Sequence, residues 1–201
     1  KGDIFKIGRI ELMPSYPLEA FGGQLHNQGE EGSFRLDLVP LGVKNCIRFW
    51  DLAATEATDA ADPDWTVGAL VGLDPKTNLT WVLNVVRVRG SSENVQEIVK
   101  GTAVLDGKGV KIRIEQEPGS AGKKLINDYV RMLAGYDVLG VPATGEKYVR
   151  AMPLSAQVNG GNVKVLEASW NAPWMAVLAA FNRVKHDDDV DAASGAFNEI
   201  T

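Results

Sequence analysis

The sequence has few residues that form disulfides or bind soft metals. It contains one cysteine, Cys46, and two histidines, His26 and His186. A lone cysteine excludes an internal disulfide framework and fits a reducing compartment. Two histidines are too few for a zinc site built from several imidazoles, so a bound metal would need mostly oxygen ligands.

Long apolar runs are missing as well. No stretch approaches the roughly 20 apolar residues that span a bilayer, and the opening KGDIFKIGRI is not typical of a signal peptide. Hydrophobic residues make up 45% of the chain and charged residues 23%, which is ordinary for a globular domain. The sequence therefore predicts a folded domain that has no membrane partner.

A phosphate-binding loop of the form G-x-x-x-x-G-K-[ST] is also absent from the sequence. The stretch EPGSAGKKL has a glycine–lysine pair, but its glycine spacing is wrong and leucine follows the lysines. The sequence therefore does not predict an ATPase. Its net charge of −5 opposes nucleic-acid binding over the whole surface, but a nuclease needs only a local basic groove around an acidic centre.

The pattern of apolar residues predicts regular structure after residue 44. Residues 1–44 show no sustained period and are interpreted as an entry arm with one short strand around FRLDLV. CIRFWDLA then predicts a buried strand that ends near Asp51, and WTVGALVGLD and TWVLNVVRVRG predict a β-hairpin. SSENVQEIVKGTAVLDG predicts a helix that begins after Ser91 or Ser92 and ends at Gly107.

Strands and helices alternate in the second half. The predicted order is a strand in IRIEQEPG, a helix over about 120–134, a strand in YDVLGVP, a helix over about 146–158, a strand in NVKVL and two final helices. Three hairpin-connected strands followed by this alternation predict an α/β fold, a mixed β-sheet flanked by helices. This is the element order of the ribonuclease H-like fold.

Three separate segments of this predicted fold supply carboxylates. Asp51 ends the first strand, and Glu115 and Glu117 lie two positions apart near the end of a later one. The run HDDDVDA opens the last helix with Asp187 and Asp188, and Asp191 follows on the same side. In this topology the acids meet at one end of the sheet. They form an oxygen-only cage suited to Mg²⁺ or Mn²⁺, and two ions about 4 Å apart would serve phosphodiester hydrolysis.

Each acid also has a simpler interpretation. Asp51 alone is typical of a turn residue, and an acidic run at a helix start is often a solvated cap. Glu115 or Glu117 could pair with neighbouring basic residues such as Lys123. The occurrence of all three segments at matching places in the topology favours the metal site.

Four stretches together resemble the C-terminal nuclease domain of the large terminase subunit of tailed bacteriophages and prophages. They are GDIFKIGRIELMPSYP, IRFWDLAATEATDAADPDWTVGALVG, IRIEQEPGSAGKKLINDYVRMLAGY and the closing run from EKYVRAMPLSAQ to HDDDVDAASGAF. The resemblance implies a metal-dependent endonuclease that cuts concatemeric viral double-stranded DNA with two Mg²⁺ or Mn²⁺ ions. It also implies action in the cytoplasm of the infected bacterial host.

The resemblance assigns roles by position. Asp51 matches the first-strand acid and Glu115 the second-strand acid. Asp187 and Asp188 match the paired acids that open the final helix, and Asp188 is expected to be the main ligand of the two.

Three further acids receive accessory roles. Glu117 is expected to be an additional ligand or to support one. Asp191 is expected to orient its neighbours or cap the helix. Asp64, in DPDWTVG, matches an acid that often follows the first motif, and either orders a loop or takes part in catalysis.

The family's ATPase half does not occur in this sequence. The resemblance therefore implies that residues 1–44 are an entry arm from an absent ATPase domain, packed on a nuclease domain of residues 45–201. In the full-length protein, the expected partners are that N-terminal ATPase domain, the small terminase subunit and the portal.

Basic residues near the predicted cage are candidates for DNA binding, although ordinary solvated surface is an equal interpretation. The resemblance puts Lys147 and Arg150 beside the acidic centre, where they would hold phosphates. The other candidates are Lys123, Lys124, Lys164, Arg183 and Lys185.

Two alternative functions remain open at this point. One is another ribonuclease H-like nuclease of the resolvase or transposase type. The other is a non-catalytic DNA-binding or docking module of the packaging motor, in which the acids are structural.

Overall fold

The computed structural model describes residues 4–14, 42–53 and 65–201. Asp64 and the strand predicted around FRLDLV lie outside these residues. Within the described part, the chain forms one mixed sheet of seven strands together with five α-helices and a short 3₁₀ helix, Ile7–Arg9. This architecture confirms the predicted fold class.

The elements follow the order expected from residue 44 onward. The strands are β1 (Glu11–Met13), β2 (Lys44–Asp51), β3 (Thr66–Asp74), β4 (Leu79–Val88), β5 (Lys111–Gln116), β6 (Val138–Pro142) and β7 (Val163–Leu166). The helices are α1 (Ser92–Asp106), α2 (Ser120–Met132), α3 (Lys147–Gly160), α4 (Asn171–Ala180) and α5 (Asp188–Ile200). None of the described helices is both long and apolar enough to cross a bilayer.

The strand directions decide which ends meet. The spatial order is β1-β7-β4-β3-β2-β5-β6. β3 runs antiparallel to β2 and β4, whereas β2–β5, β5–β6, β4–β7 and β7–β1 are parallel pairs. The carboxyl ends of β2, β4, β5 and β6 therefore lie along the same edge of the sheet.

Alternating residues of the central strands face two different helix layers. Phe49 packs in a cluster with residues of α3, α4 and α5, while the next residue, Trp50, packs with residues of α1 and α2. This alternation follows from the period of two in a strand. By the same period, Asp51 lies on the face covered by α5.

α5 approaches the sheet closely because its contact surface is made of small residues. A Cβ atom built on Gly195 would lie 2.5 Å from the ring of Phe49, so a side chain there would collide with β2. Ala192, Ala193 and Ala196 are fully buried on the same helix. The close approach places the acidic N-terminus of α5 over the end of the central strands.

The first residues differ from the predicted irregular arm. β1 pairs in parallel with β7 at the far edge of the sheet, and Phe5 is buried in the core. Ser155 donates a hydrogen bond to the carbonyl oxygen of Ile4 at 2.5 Å. Residues 4–14 are therefore built into the fold. A three-residue strand such as β1 is too short to show a period in the sequence.

Candidate functional site

The carboxyl edge of the sheet brings Asp51 and Glu115 together. Trp50 pairs with Ile114 across the parallel β2–β5 ladder, so the next residues, Asp51 and Glu115, lie side by side. Both follow residues that face α1 and α2, and both therefore point to the α5 side. The two predicted strand acids thus share one face and one edge.

α5 adds its acids from above this edge. Asp188 accepts a hydrogen bond from the backbone N–H of Trp65 at 3.1 Å and is 7% exposed. Asp191 is 4% exposed. The hydrogen bond to Trp65 fixes the start of α5 to the beginning of β3, which neighbours β2.

The pKa of Asp51 is raised by its burial and by the nearness of these carboxylates. Burial raises the pKa of Asp51 well above its usual value, and Glu115, Asp191 and Asp188 raise it further, in that order of strength. Burial also raises the pKa of Glu115, although the nearby Arg150 guanidinium opposes this. Carboxylates from three segments therefore interact strongly enough to disfavour ionisation, which is the condition that a bound cation would relieve.

Two basic side chains of α3 partly neutralise the acids. The Nζ atom of Lys147 lies 2.9 Å from Oδ1 of Asp187 and 2.5 Å from Oδ2 of Asp191. The Nη2 atom of Arg150 lies 2.9 Å from Oδ1 of Asp191 and 3.3 Å from Oε1 of Glu115. Asp191 is thus held between two cations and forms the centre of the polar network.

The same ion pairs explain why the acids do not form a ready metal cage. Within residues 4–14, 42–53 and 65–201, no group of three His, Cys, Asp or Glu side chains is arranged to hold a metal ion. Lys147 and Arg150 bind carboxylate oxygens that a metal would also need. The converging acids nevertheless suit Mg²⁺ or Mn²⁺, because these ions prefer carboxylate oxygens as ligands. The ionised form of Asp51 is also disfavoured in the structure, and a bound cation would stabilise it.

A groove opens beside the acids. It has a volume of about 190 Å³ and is lined by Glu115, Arg150 and Asp191 together with residues of β6 and the loop after it. The groove gives solvent, and any ligand of similar size, access to the carboxylates from the β6 side.

The other predicted site residues lie at varied distances from this centre. Asp187 is 16% exposed and contacts Lys147 at the edge of the network. Glu117 is exposed beyond the end of β5, where it contributes to the raised pKa of Glu115. Asp64 lies outside the described residues. Lys123, Lys124 and Lys185 are exposed on α2 and on the segment before α5.

Lys164 was predicted near the acids, and this placement is wrong. It lies in β7 opposite Trp81 and forms an ion pair with Glu11. Trp81 is near the start of β4, whereas the acids lie beside the end of that strand. Sequence reasoning could not see this because the position of β7 in the sheet was not predicted.

Sequence reasoning missed a second polar cluster beside the acids. Asp189 is 1% exposed, and its Oδ2 atom lies 3.3 Å from Nε of Arg87. Burial raises the pKa of Asp189 to about 6, while Arg87 opposes the shift. The guanidinium groups of Arg87 and Arg89 both lie over the ring of Trp65. The signal was present in the sequence as VRVRG, where two arginines share one face of an otherwise apolar strand.

Comparison with protein families identifies a domain over most of the chain. Residues 48–199 match the family model described as the Terminase RNaseH-like domain. No curated protein sequence matches the chain.

Solved structures of phage nuclease domains share the fold. The Thermus phage P74-26 large terminase nuclease domain is similar with a TM-score of 0.61 and 14% identity, over 99% of this chain and 95% of that one. The large terminase nuclease of thermophilic phage G20c with bound magnesium is similar with a TM-score of 0.60 and 14% identity, over 98% of this chain and 97% of that one. Other structures of the G20c domain contain zinc or cobalt.

The P22 large terminase nuclease domain is similar over a smaller part of the chain. Its TM-score is 0.58 at 15% identity, over 78% of this chain and 82% of that chain. At these identities, the likeness concerns the fold.

Proposed function

The chain belongs to the terminase RNase H-like domain family, and we propose that it is a metal-dependent endonuclease that cuts double-stranded viral DNA during genome packaging. The observation that carries this proposal is the meeting of carboxylates from β2, β5 and α5 at one sheet edge. Bound magnesium, zinc and cobalt in structures of the G20c domain support the use of a divalent metal.

Asp51, Glu115 and Asp188 are the proposed main ligands of two Mg²⁺ or Mn²⁺ ions. Asp191 is proposed as a further ligand, because it lies within the network and raises the pKa of Asp51 more strongly than Asp188 does. Asp187 holds Lys147 at the edge of the same network. The bound ions would supply Lewis acidity and a water activated at neutral pH.

Lys147 and Arg150 provide the positive charge that a phosphodiester needs. In the structure they pair with Asp187, Asp191 and Glu115. If the acids bind metal ions instead, Lys147 and Arg150 become available to a DNA phosphate beside them. Arg150 is suited to two oxygens at once because its planar guanidinium matches phosphate geometry.

The wider context of the reaction is part of the same proposal. Double-stranded DNA is the substrate, and an N-terminal ATPase domain, a small terminase subunit and a portal are the partners of the full-length protein. The site of action is the cytoplasm of the infected host. Lys123, Lys124 and Lys185 are candidate contacts to more distant phosphates.

Cleavage of supercoiled plasmid in Mg²⁺, Mn²⁺ or EDTA tests the proposal. Asp51→Asn removes one carboxylate with little change in shape, and Asp188→Asn removes one from α5. Asp128→Asn is the matched control, because Asp128 is half exposed on α2 and contacts only the exposed Arg131 among the described ion pairs. Metal-dependent nicking and linearisation should be lost in the first two variants and retained in the control.

Two results would count against the proposal. Plasmid that stays intact with every metal, while the protein is folded, would favour a non-catalytic docking module of the packaging motor. Strong preference for a four-way junction over linear duplex would instead favour a resolvase-type nuclease.

A further inference from the structure

The first turn of α5 is held on the β4 side by an ion pair. The Oδ2 atom of Asp189 lies 3.3 Å from Nε of Arg87, and the Asp189 side chain is 1% exposed. A carboxylate buried this deeply needs a compensating charge nearby. Arg87 is 21% exposed and belongs to β4, so the pair connects the start of the helix to a strand of the sheet.

The strand register places Arg87 on the same face of the sheet as the acids. Asp51 pairs with Val67, and Val67 pairs with Arg87. Residues directly opposite one another in antiparallel ladders point to the same face, so Arg87 shares the face of Asp51. Two strand spacings, or about 10 Å, separate the backbones of Asp51 and Arg87. Arg87 therefore lies beside the acidic centre, on its β4 side.

Asp188 lies between two anchored neighbours on α5. Successive residues of an α-helix are rotated by about 100°, so Asp189 projects to one side of Asp188 and Asp191 to the other. Asp191 is held by two basic side chains of α3, and Asp189 is held by Arg87 of β4. These contacts on both flanks fix the rotation of α5 about its axis, and with it the direction in which Asp188 points.

Arg87 also reaches Asp188 through Trp65. The guanidinium carbon of Arg87 lies 4.5 Å from the ring centroid of Trp65. The backbone N–H of Trp65 donates a hydrogen bond to Asp188 at 3.1 Å. A planar guanidinium can stack on an aromatic ring and pair with a carboxylate at the same time, whereas an ammonium group lacks the planar face. Arg87 thus contacts both the residue that follows Asp188 in the chain and the residue that donates to it.

We propose that Arg87 is a positioning residue that holds the carboxylate of Asp188 in place for metal binding, acting through Asp189 and Trp65. This inference rests on the proposed nuclease function, in which Asp188 is a metal ligand. In this role Arg87 touches neither the metal nor the DNA. Replacement of side chains that orient a ligating group typically weakens metal binding by 10–100-fold.

A charge-neutral double variant separates positioning from electrostatics. Arg87→Met/Asp189→Leu removes one positive and one negative charge, so the net charge beside the acids does not change. Apolar replacement of a buried ion pair usually preserves stability, and the melting temperature should stay within about 4 °C of the wild type. The dissociation constant for Mn²⁺, measured by isothermal titration calorimetry, should rise by at least roughly tenfold.

The matched control is a buried ion pair on the opposite face of the sheet. Nε of Arg48 lies 2.8 Å from Oδ2 of Asp106, and both side chains are 1% exposed. Arg48→Met/Asp106→Leu makes the same chemical change away from α5, so its affinity for Mn²⁺ should equal that of the wild type. A purely structural role for Arg87 would leave the two double variants alike in Mn²⁺ affinity.

Arg87→Lys decides the question if the double variant does not fold. Lysine keeps the charge beside Asp189 but has no planar group to stack on Trp65. We expect Arg87→Lys to melt like the wild type. Its affinity for Mn²⁺ should fall about threefold, which corresponds to the loss of a contact between a cation and an aromatic ring.

The outcomes distinguish this inference from the proposed function. Wild-type Mn²⁺ affinity in the folded Arg87→Met/Asp189→Leu variant, or in Arg87→Lys if that double variant is unfolded, would overturn the inference. An equal loss of affinity in both double variants would also overturn it, because the loss would then not depend on contact with α5. In these cases, metal-dependent plasmid cutting by the wild type would leave the nuclease proposal intact. A folded wild-type protein that binds no Mn²⁺ would overturn both.

Discussion

The ammonium group of Lys147 lies 2.5 Å from Oδ2 of Asp191, so a side chain of α3 takes the place of a cation at the acidic start of α5. Burial lowers the pKa of Lys147, but hydrogen bonds to Asp191 and Asp187 outweigh it and raise that pKa overall. Lys147 is therefore protonated at neutral pH. Any metal ion that binds Asp191 must compete with this internal cation.

Replacement of Lys147 by Met should strengthen metal binding. The change removes the competing charge and leaves the carboxylates to the ion, so we expect Mn²⁺ to bind at least roughly tenfold more tightly, or about 1.4 kcal/mol. Isothermal titration calorimetry measures the dissociation constant. The metal-free protein should also lose about 1–3 kcal/mol of unfolding free energy, because a buried carboxylate loses a partner.

Lys108→Met is the control for the charge change. Lys108 is exposed in the turn before β5, at the opposite end of that strand from Glu115. Its replacement should leave Mn²⁺ affinity unchanged. If Lys147→Met bound Mn²⁺ more weakly than the wild type, Lys147 would be supporting the site instead of competing for it.

Asp51→Asn should change how stability depends on pH. The pKa of Asp51 is raised in the folded state, so between its unfolded and folded pKa values the native protein binds more protons than the unfolded chain. The contribution of Asp51 to stability is therefore fully present below the unfolded pKa and is lost as pH rises through the folded pKa. Asparagine does not ionise, so Asp51→Asn avoids the cost of burying a charged carboxylate. The variant should therefore be more stable at pH 8 than the wild type without metal.

Urea denaturation in EDTA at pH 5 and pH 8 measures this effect. The wild type should lose more unfolding free energy between the two pH values than Asp51→Asn does. Identical losses in both proteins would show that Asp51 ionises without strain, which would contradict the crowded acidic centre. Saturating Mg²⁺ should reduce the difference between the wild type and Asp51→Asn in this loss of unfolding free energy, because a bound cation favours the ionised carboxylate.

A buried ion pair on the opposite face of the sheet gives a prediction about stability alone. Arg48 donates two hydrogen bonds of 2.8 Å to Asp106 of α1, and both side chains are 1% exposed. Arg48→Met should cost about 3–5 kcal/mol, because it leaves an unpaired buried carboxylate. The double variant Arg48→Met/Asp106→Leu should recover much of this loss. Urea denaturation measures all three proteins, and a double variant as unstable as the single one would contradict the explanation.

The order of strands and helices after residue 44 could be predicted because each element carries its own local signal. β2 ends at Asp51 and α1 has Ser91 as its N-cap, as the apolar pattern and the serine pair indicate. β1 could not be predicted, because it is stabilised by pairing with β7, about 150 residues away in the sequence.

The site was predicted less completely than the fold. The acids at strand and helix ends are visible in the sequence, since topology alone brings those ends together. The pairing of Arg87 with Asp189 depends on how α5 lies across β4, which no local pattern specifies. For the same reason, the position of Asp191 between Lys147 and Arg150 was not foreseen, although its nearness to Asp187 and Asp188 was.

Gly195→Ala tests whether the close packing of α5 positions the acids. The added Cβ would lie 2.5 Å from the ring of Phe49, which is buried and has little room to move. We expect a loss of about 1–3 kcal/mol in unfolding free energy. The helix would shift away from β2, and a displacement of 1 Å at Asp188 would slow cutting by roughly 100-fold.

Gly101→Ala is the matched control. Gly101 is exposed in α1, and apart from its chain neighbours and the backbone of its own helix, no atom of the described residues lies within 4 Å of the Cβ position. Alanine there should add about 0.4–1 kcal/mol of stability, because it restricts the unfolded chain and favours helix. Its rate of plasmid cutting should equal that of the wild type. If Gly195→Ala lost stability but kept the wild-type rate, the spacing between α5 and β2 would not determine the geometry of the acids.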